Sequence, residues 1–247
     1  MEVDQEMLGK LQDFIKSLTK TDDRDIKLYI SEILSDNKFN DSIAKKADFG
    51  TGEKPFSYQI AVDMASRLAL YVLCRAKKPA VVVETGVGSG TSSSFILCAL
   101  DKNGRGKLFS IDVPWYTVTH NWKDHFVNNE IKPHPFETQS GWIIPDYLIG
   151  RWELSIGMSN EKLPPLLKNT GLVDVFFHDS EHSYENMSWE FRTIWPGLKK
   201  NGVMLVHNVD NNNAFAEFEQ NVGGHSFKLS GLNNDGHLMT IGGKTKE

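Results

Sequence analysis

The stretch that decides the fold is residues 81–94, VVVETGVGSGTSSS. It begins with an apolar, strand-like run that ends at Glu84, and glycines then occupy the alternate positions Gly86, Gly88 and Gly90. The serines that follow lead into FILCAL, an apolar run typical of the buried face of a helix. A strand, a glycine-rich turn and a helix together predict the nucleotide-binding crossover of an open α/β sheet.

The spacing of the glycines separates two kinds of ligand site. Glycine lets the backbone approach a ligand closely, and the dinucleotide fingerprint G-x-G-x-x-G would place its third glycine at position 91. This chain has Thr91 at that position and its third glycine at position 90. The loop is therefore a poor match to a nicotinamide site. Simple packing of a strand against a helix would also explain a glycine-rich turn.

Composition limits the class of protein. The chain has 247 residues, which suits one domain with a sizeable core, and its net charge is −5 without a run of Lys or Arg. We therefore expect no nucleic-acid partner. The start, MEVDQEMLGK, lacks the apolar core of a secretory signal, and the apolar stretch 60–74 is shorter than the ~20 residues of a membrane span. Two cysteines within apolar helical patterns, Cys74 and Cys98, indicate buried thiols in the reducing cytoplasm.

The pattern along the chain predicts the architecture. Two amphipathic helices occupy the first 34 residues, a polar connection follows, and a third helix, about 57–76, is stopped by the sequence Lys78-Pro79. From residue 80, helical segments separate short apolar runs, which indicates a parallel sheet covered on both faces. The strand-like runs are AVVVE, KLFSID, WELSIG, VDVFFHD and GVMLVHN, and then HSFKLSG and GHLMTIG around the turn signal LNNDG.

These patterns define a fold class and its parts. We predict an α/β, Rossmann-like, doubly wound fold whose seven-stranded sheet is mostly parallel and ends in a C-terminal antiparallel hairpin. Residues 1–55 would form a helical N-terminal extension, and residues 56–247 would form the main domain. Within that domain, residues 114–150 are rich in Trp, His and Pro and have weak periodicity. A loop of this length with aromatic residues predicts a lid or a substrate wall, with Trp115, Trp122 and Trp142 as wall candidates.

The next strand supplies a second candidate ligand group. It ends in SIDVP, which places Asp112 at the carboxyl edge of the sheet, next to the glycine loop. An acid at this position can accept hydrogen bonds from both hydroxyls of a ribose. Asp112 could also be a surface turn residue before Pro114. Together with the glycine loop, the pattern favours ribose binding.

Four motifs follow one another in a familiar order and spacing. They are VVVETGVGSGTSS, GKLFSIDVP, GWIIP…RWELSIGMSNEKLPPLL and VDVFFHDSEHSYENMSWEF. In this order the chain, from about residue 56 to 218, resembles the class I S-adenosylmethionine-dependent methyltransferases. It looks most like the O-methyltransferase-like branch, which has an H-D-S-x-H-x-Y-E box after the fourth strand.

The resemblance implies roles for individual residues. It implies that Glu84 pairs with the methionine ammonium of the cofactor and that Asp112 binds its ribose. The loop glycines would pass under the homocysteine part, and Met158 and Ser159 would lie beside the adenine. The set of cofactor-binding residues implied in this way is Glu84, Gly86, Gly88, Gly90, Ser92, Asp112, Met158, Ser159 and Asp179.

The reaction needs a base if the methyl acceptor is a hydroxyl, and the box supplies candidates. His182 lies just beyond Asp179, which ends the fourth strand, and a histidine is well suited to take a hydroxyl proton. A helix-capping or core imidazole is the alternative interpretation of His182. We therefore name His182 and Asp179 as the candidate catalytic residues.

Dependence on a metal is the open question. The family often places an acidic pair at the end of the fifth strand, where this chain has His207-Asn208. Because Mg²⁺ prefers oxygen ligands, we favour a metal-free site. The first alternative is a divalent cation held by Asp179, Asn208 and Asp210. The second is a softer metal held by Asp179 together with imidazoles, unless these pack on opposite faces of the sheet; the imidazoles are His178, His182 and His207.

The function predicted from the sequence is methyl transfer from S-adenosylmethionine to a hydroxyl of a small molecule, a sugar or a secondary metabolite. The Asn/Asp-Pro-Pro-aromatic box that marks amino-directed methyltransferases does not follow the fourth strand, which favours oxygen as the acceptor. One alternative is a methyltransferase-like module that binds the cofactor without catalysis. A nicotinamide-dependent oxidoreductase is the third possibility.

Overall fold

The sheet organises the molecule. The computed structural model describes residues 5–48, 62–113, 139–223, 226–232 and 238–247, which include seven strands in the order β3-β2-β1-β4-β5-β7-β6. Neighbours among β1 to β5 pair in parallel, whereas β7 is antiparallel to both β5 and β6. The strands are β1 Val81–Thr85, β2 Lys107–Asp112, β3 Trp152–Ile156, β4 Val173–His178, β5 Leu198–His207, β6 Ser226–Leu232 and β7 Leu238–Thr245. The predicted fold class, including the C-terminal hairpin, is confirmed.

Helices cover both faces of the sheet. One buried core lies between the sheet and the helices α1 to α5, and a second lies between the opposite face and α6, α7 and α8. A short 3₁₀ helix, Asp146–Arg151, precedes β3. The helices are α1 Gln5–Thr19, α2 Asp23–Leu34, α3 Asn37–Ala47, α4 Met64–Lys77, α5 Thr91–Lys102, α6 Ser159–Thr170, α7 Tyr184–Gly197 and α8 Ala214–Val222. No helix of the described part of the chain is long and apolar enough to cross a membrane.

The polar connection expected after the second helix contains a further helix, so that prediction was wrong. Helix α3 begins where the Asp36 side chain accepts a hydrogen bond from the Phe39 amide, at 2.9 Å. Phe39 and Ile43, four residues apart, are buried against the first core. Two apolar residues and one capping acid are enough to form a helix when a core receives them, because tertiary packing supplies most of helix stability.

Helix α4 also differs from its predicted limits. It begins at Met64 rather than near residue 57, since Asp63 is its capping residue; residues 57–61 lie outside the described ranges. Its end at Lys77, before Pro79, confirms the predicted stop. Helices α1 and α2 pack on α4, and α1 also contacts β6 and β7.

The strand order reverses between β1 and β4. The chain leaves β1 toward β2 on one side, whereas β4 and β5 lie on the other side, so the connections diverge there. Ligands of open α/β sheets bind at this switch point, outside the carboxyl ends of the strands. The glycine loop follows β1 and the Asp179–His182 segment follows β4, so both candidate motifs lie at this edge.

Candidate active site

The three loop glycines have left-handed backbone conformations, with φ of +85°, +51° and +89° for Gly86, Gly88 and Gly90. The absence of a side chain at these glycines has two different effects. A Cβ on Gly86 would lie 2.1 Å from the carbonyl oxygen of Asp179, and a Cβ on Gly90 would lie 2.7 Å from Cα of Gly141. A Cβ on Gly88 would meet no atom of the described residues within 4 Å. Two of the glycines therefore allow close packing, and the third exposes backbone to open space that a ligand can occupy.

Asp112 lies at the end of β2 and faces this loop. Its Oδ1 accepts a hydrogen bond from the Val87 amide at 3.1 Å, and its Oδ2 accepts one from the Ser140 hydroxyl. Burial raises the pKa of the Asp112 carboxyl above its ordinary value, although these hydrogen bonds lower it. The Gly88 backbone amide also interacts with this carboxyl. Because a carboxylate offers about four acceptor sites, Asp112 keeps capacity for a further donor, such as a ribose hydroxyl of a nucleoside ligand.

Glu84 lies beneath the loop rather than at its surface. The residue is fully buried, and its carboxyl oxygens accept hydrogen bonds of 2.6–2.7 Å from the hydroxyls of Ser92, Ser93 and Ser110. Burial raises the pKa of Glu84 to about 7. Glu84 thus ties β1 to β2 and to the first turn of α5. The pairing of Glu84 with a ligand ammonium stays a prediction, and it would require these hydroxyls to move.

The described end of the predicted lid supports the glycine loop. The amides of Gly141 and Ile143 donate to the carbonyls of Gly88 and Ser89, at 2.9 and 3.0 Å. Trp142 is partly buried against the first core. Residues 114–138, with Trp115 and Trp122, lie outside the described residues, so the lid itself stays a prediction.

The predicted adenine-side residues follow β3. The Gly157 amide donates to the Asp112 carbonyl at 3.0 Å, which brings Met158 to the same edge as Asp112. Met158 is 44% exposed, as an apolar surface for a flat ring would be. The Ser159 hydroxyl instead donates to the side-chain oxygen of Asn186 at 3.1 Å.

The reaction side of the edge gathers one carboxylate and two imidazoles. Among the described residues, the ligand-type atoms of Asp179, His182 and His207 lie within 4.8 Å of one another. His207 Nδ1 is 2.9 Å from Asp179 Oδ1, and His182 Nε2 is 3.7 Å from the same oxygen. His182 Nε2 is buried and has no hydrogen-bond partner within the described ranges. A group that presents a proton to this cluster would therefore meet a free imidazole nitrogen.

The surroundings of His182 and His207 give these two histidines opposite protonation states. Burial, together with the neighbouring His178, lowers the pKa of His182 to about 4 against the attraction of Asp179. Burial also lowers the pKa of His207, but Asp179 and Asp63 outweigh it and raise that pKa to about 9. At neutral pH His182 is neutral and able to accept a proton, whereas His207 is a cation.

The other residues named as candidate metal ligands lie outside the cluster of Asp179, His182 and His207. Asp210 lies at the surface, where its Oδ1 accepts a hydrogen bond from Lys228 at 2.5 Å. Asn208 begins the turn after β5, with φ of +54°. His178 points to the opposite face of the sheet from His207 and pairs with Glu190 at 2.8 Å. The structure thus brings His207, but neither Asp210 nor His178, into the Asp179–His182 cluster.

Sequence reasoning missed two buried acids. Glu190 accepts hydrogen bonds from Thr85 at 2.6 Å and Ser180 at 2.8 Å, so it ties β1 to the segment that carries His182. The signal was a charged residue on an apolar helical stripe, between Met187 and Phe191. The second missed acid is Asp63, whose Oδ2 lies 3.8 Å from His207 Nε2. Its signal was the capping sequence Asp-x-x-Ser.

Comparison with known proteins identifies the family and the fold of the chain. The family described as Methyltransferase domain matches residues 83–209, about half of the chain. In fold, the chain resembles the O-methyltransferase TomG from Streptomyces achromogenes, solved in complex with SAM, at a TM-score of 0.57, 16% identity and full coverage of both chains. It also resembles the O-methyltransferase from Bacillus cereus in complex with SAH (TM-score 0.54, 12% identity, 96% of this chain and 97% of that chain).

A third solved structure is the SAH-bound methyltransferase PaMTH1 from Podospora anserina (TM-score 0.51, 14% identity, 100% of this chain and 98% of that chain). Identities this low establish a shared fold only, but the coverage extends that fold over the N-terminal helices. No curated protein matches the sequence. The match over residues 83–209 confirms the methyltransferase resemblance that the glycine loop and the histidine box carry, and this chain belongs to the methyltransferase-domain family.

Proposed function

We propose that this protein transfers a methyl group from S-adenosylmethionine to a hydroxyl of a small molecule, a sugar or a secondary metabolite. The observation that carries the proposal is the edge at the switch point of the sheet. There the open backbone of Gly88 and the carboxylate of Asp112 lie on one side, and the free nitrogen of His182 lies on the other. Family membership and the O-methyltransferases of the same fold support it.

The cofactor side is assigned to β1, β2 and β3. S-adenosylmethionine supplies an electrophilic methyl group when it is bound. The Gly88 turn would pass along the cofactor, Asp112 would accept from its ribose hydroxyls, and Met158 would pack against its adenine. Glu84 and Ser92 hold the loop from beneath by their hydrogen bond of 2.7 Å.

The acceptor side is assigned to the ends of β4 and β5. His182 Nε2 takes the proton of the acceptor hydroxyl, which makes the oxygen nucleophilic. Because its pKa is lowered to about 4, His182 is unprotonated at neutral pH. The imidazolium that forms lies 3.7 Å from Asp179, and that negative charge offsets part of the cost of charging a buried ring.

The proposed setting is the cytoplasm. Cys74 and Cys98 are both buried free thiols, and burial raises the pKa of each to about 12. Thiols held in this form are unreactive, which suits a reducing compartment.

Two measurements test the proposal. Calorimetry with S-adenosylhomocysteine is expected to show binding, and NAD is expected not to bind. A panel of hydroxylated sugars and phenols with S-adenosylmethionine is then expected to include an acceptor that gains one methyl group, detected by mass. Binding without transfer to any acceptor would favour a cofactor-binding module, and binding of NAD at equal affinity would favour an oxidoreductase.

A further inference from the structure

Asp63 is a buried acid in the part of the chain that precedes the family match. It is 2% exposed and caps α4, where its Oδ1 accepts from the Ser66 amide at 3.1 Å and its Oδ2 from the Ser66 hydroxyl at 2.5 Å. A Cβ on Gly231 of β6 would lie 2.3 Å from Asp63 Oδ1, so the neighbouring strand confines this carboxylate closely. Its position is therefore fixed by two elements of the fold.

The carboxylate of Asp63 faces the imidazole of His207. His207 Nε2 lies 3.8 Å from Asp63 Oδ2, an ion-pair distance without a hydrogen bond, and His207 Nδ1 lies 2.9 Å from Asp179 Oδ1, within hydrogen-bond distance. Each ring nitrogen thus faces one carboxylate, and the ring itself is 98% buried because its side chain is only 2% exposed. A buried imidazole between two acids is stabilised as a cation with a proton on each nitrogen.

The Asp63–His207–Asp179 contacts extend to His182, the proposed base. The Asp179 oxygen that contacts His207 is the one that lies 3.7 Å from His182 Nε2. If His207 lost its proton or turned, Asp179 would lose the partner that fixes its carboxylate. The charged or titratable groups that face His207 from the described elements are Asp63 before α4, and Asp179 and His182 after β4.

We propose that Asp63 is a positioning residue of the methyl-transfer site, which holds Asp179 against His182 through the imidazole of His207. This inference rests on the proposed function. It assigns to the N-terminal part of the chain a role in the reaction, although Asp63 touches neither His182 nor Asp179. The positive charge beside Asp179 is then the protonated imidazole of His207 rather than a metal ion.

Asp63→Asn and Ser66→Ala form a matched pair of variants. Asparagine caps a helix about as well as aspartate, so Asp63→Asn keeps the cap and removes the charge that faces His207. Ser66→Ala removes the serine hydroxyl from Asp63 and leaves that charge in place. A merely structural role of Asp63 would make Ser66→Ala at least as harmful as Asp63→Asn.

The direct readout is the NMR titration of the histidine ring nitrogens. In the wild type both nitrogens of His207 are expected to be protonated at pH 7. In Asp63→Asn the midpoint is expected to fall by ~1 pH unit, the effect of losing roughly one charge contact. Ser66→Ala is expected to leave it unchanged. An unchanged midpoint in Asp63→Asn, or equal shifts in both variants, overturns the proposal.

The second readout is turnover with the acceptor found in the panel. Asp63→Asn is expected to lower kcat about tenfold, the rate equivalent of that shift, while the affinity for S-adenosylhomocysteine stays within twofold. A shifted titration with unchanged kcat overturns the positioning role.

Loss of turnover on chelation, restored by Zn²⁺ or Mn²⁺, also overturns the positioning role, because His207 would then be a metal ligand. If the wild type binds no S-adenosylhomocysteine, the proposed function fails, while the titration still reports on Asp63 and His207.

Discussion

The two halves of the candidate site are built by different means. The half at β1 and β2 consists of glycine backbone and a carboxyl that three serine hydroxyls hold in place. The half at β4 and β5 consists of buried or partly buried acids and imidazoles from three separate parts of the chain. A cofactor common to many enzymes needs shape and close approach, whereas proton removal needs tuned charges. Because the two halves are built differently, we expect mutations to damage cofactor binding and turnover separately.

The largest expected effect is on the reaction half. A positioned base contributes typically ~10²–10⁴-fold, so His182→Ala is expected to lower kcat by that order while the affinity for S-adenosylhomocysteine is unchanged. Methylation of the panel acceptor and calorimetry measure the two quantities. Glu181→Ala, in the same turn but exposed, is the control and is expected to stay within twofold.

Chelation is the companion measurement for His182. A metal-free site keeps its activity in the presence of a chelator. If chelation abolishes turnover, Mg²⁺ restores it, and His182→Ala scarcely matters, then Asp179 is a metal ligand and the separation of roles between the two halves fails.

The second effect distinguishes two glycines of the cofactor half. Gly86→Ala puts a Cβ 2.1 Å from a backbone oxygen and is expected to cost about 3 kcal/mol of unfolding free energy or more. Gly88→Ala meets open space and is expected to cost only the ~1–2 kcal/mol of a left-handed backbone, yet to weaken S-adenosylhomocysteine binding. Urea unfolding and calorimetry measure both. Equal stability losses would mean that Gly88 also packs against protein.

The third effect concerns Asp112. Loss of a charge-assisted hydrogen bond costs on the order of 1.5–3 kcal/mol, so Asp112→Ala is expected to weaken S-adenosylhomocysteine binding by that amount in calorimetry. Glu153→Ala, an exposed acid on the adjacent strand, is the control for the loss of negative charge and is expected to have no effect. Unchanged binding in Asp112→Ala would mean that Asp112 only supports the glycine loop and Ser140.

The contrast between the halves also explains what the sequence could predict. The cofactor half is local, since Glu84 and its partner Ser92 are eight residues apart and lie in one motif. The strands and the fold class followed from apolar runs that the sheet buries on both faces. The reaction half is assembled over long separations: Asp63 and His207, which face each other, are 144 residues apart. No local pattern indicates which buried acid will meet which histidine.

The helices of the N-terminal region illustrate the same limit. Helix α3 was missed because it has only two buried apolar residues, Phe39 and Ile43, and its helical state depends on a core formed by distant segments. Asp63 could be identified as a cap from its own neighbours. Its contact with His207 depends on how α4 lies across the end of β5, which only the assembled sheet determines.

The smallest expected effect is a change in the pH dependence of stability. The pKa of His207 is raised to about 9 in the folded chain, against about 6.5 when unfolded. Between these values the folded chain keeps a proton that the unfolded chain has released, so the free energy of unfolding falls as pH rises. The stabilisation is fully present below about pH 6.5 and is lost as pH rises through about 9. Asp63→Asn is expected to reduce this fall by about 1 kcal/mol.

Urea unfolding of the wild type and Asp63→Asn at pH 6, 7.5 and 9 measures this difference. Glu84, whose pKa is raised to about 7 by burial, also lowers stability as pH rises from about 4.5 to 7. That contribution is common to both proteins and cancels in the comparison. Ser66→Ala is expected to shift the whole curve without changing its slope above pH 6. It weakens a cap, and the Asp63 carboxyl that loses the serine hydroxyl has a lowered pKa and titrates below that range. Parallel curves for the wild type and Asp63→Asn would show that Asp63 does not stabilise the His207 cation, and the two halves of the site would then be joined by β4 and β5 alone.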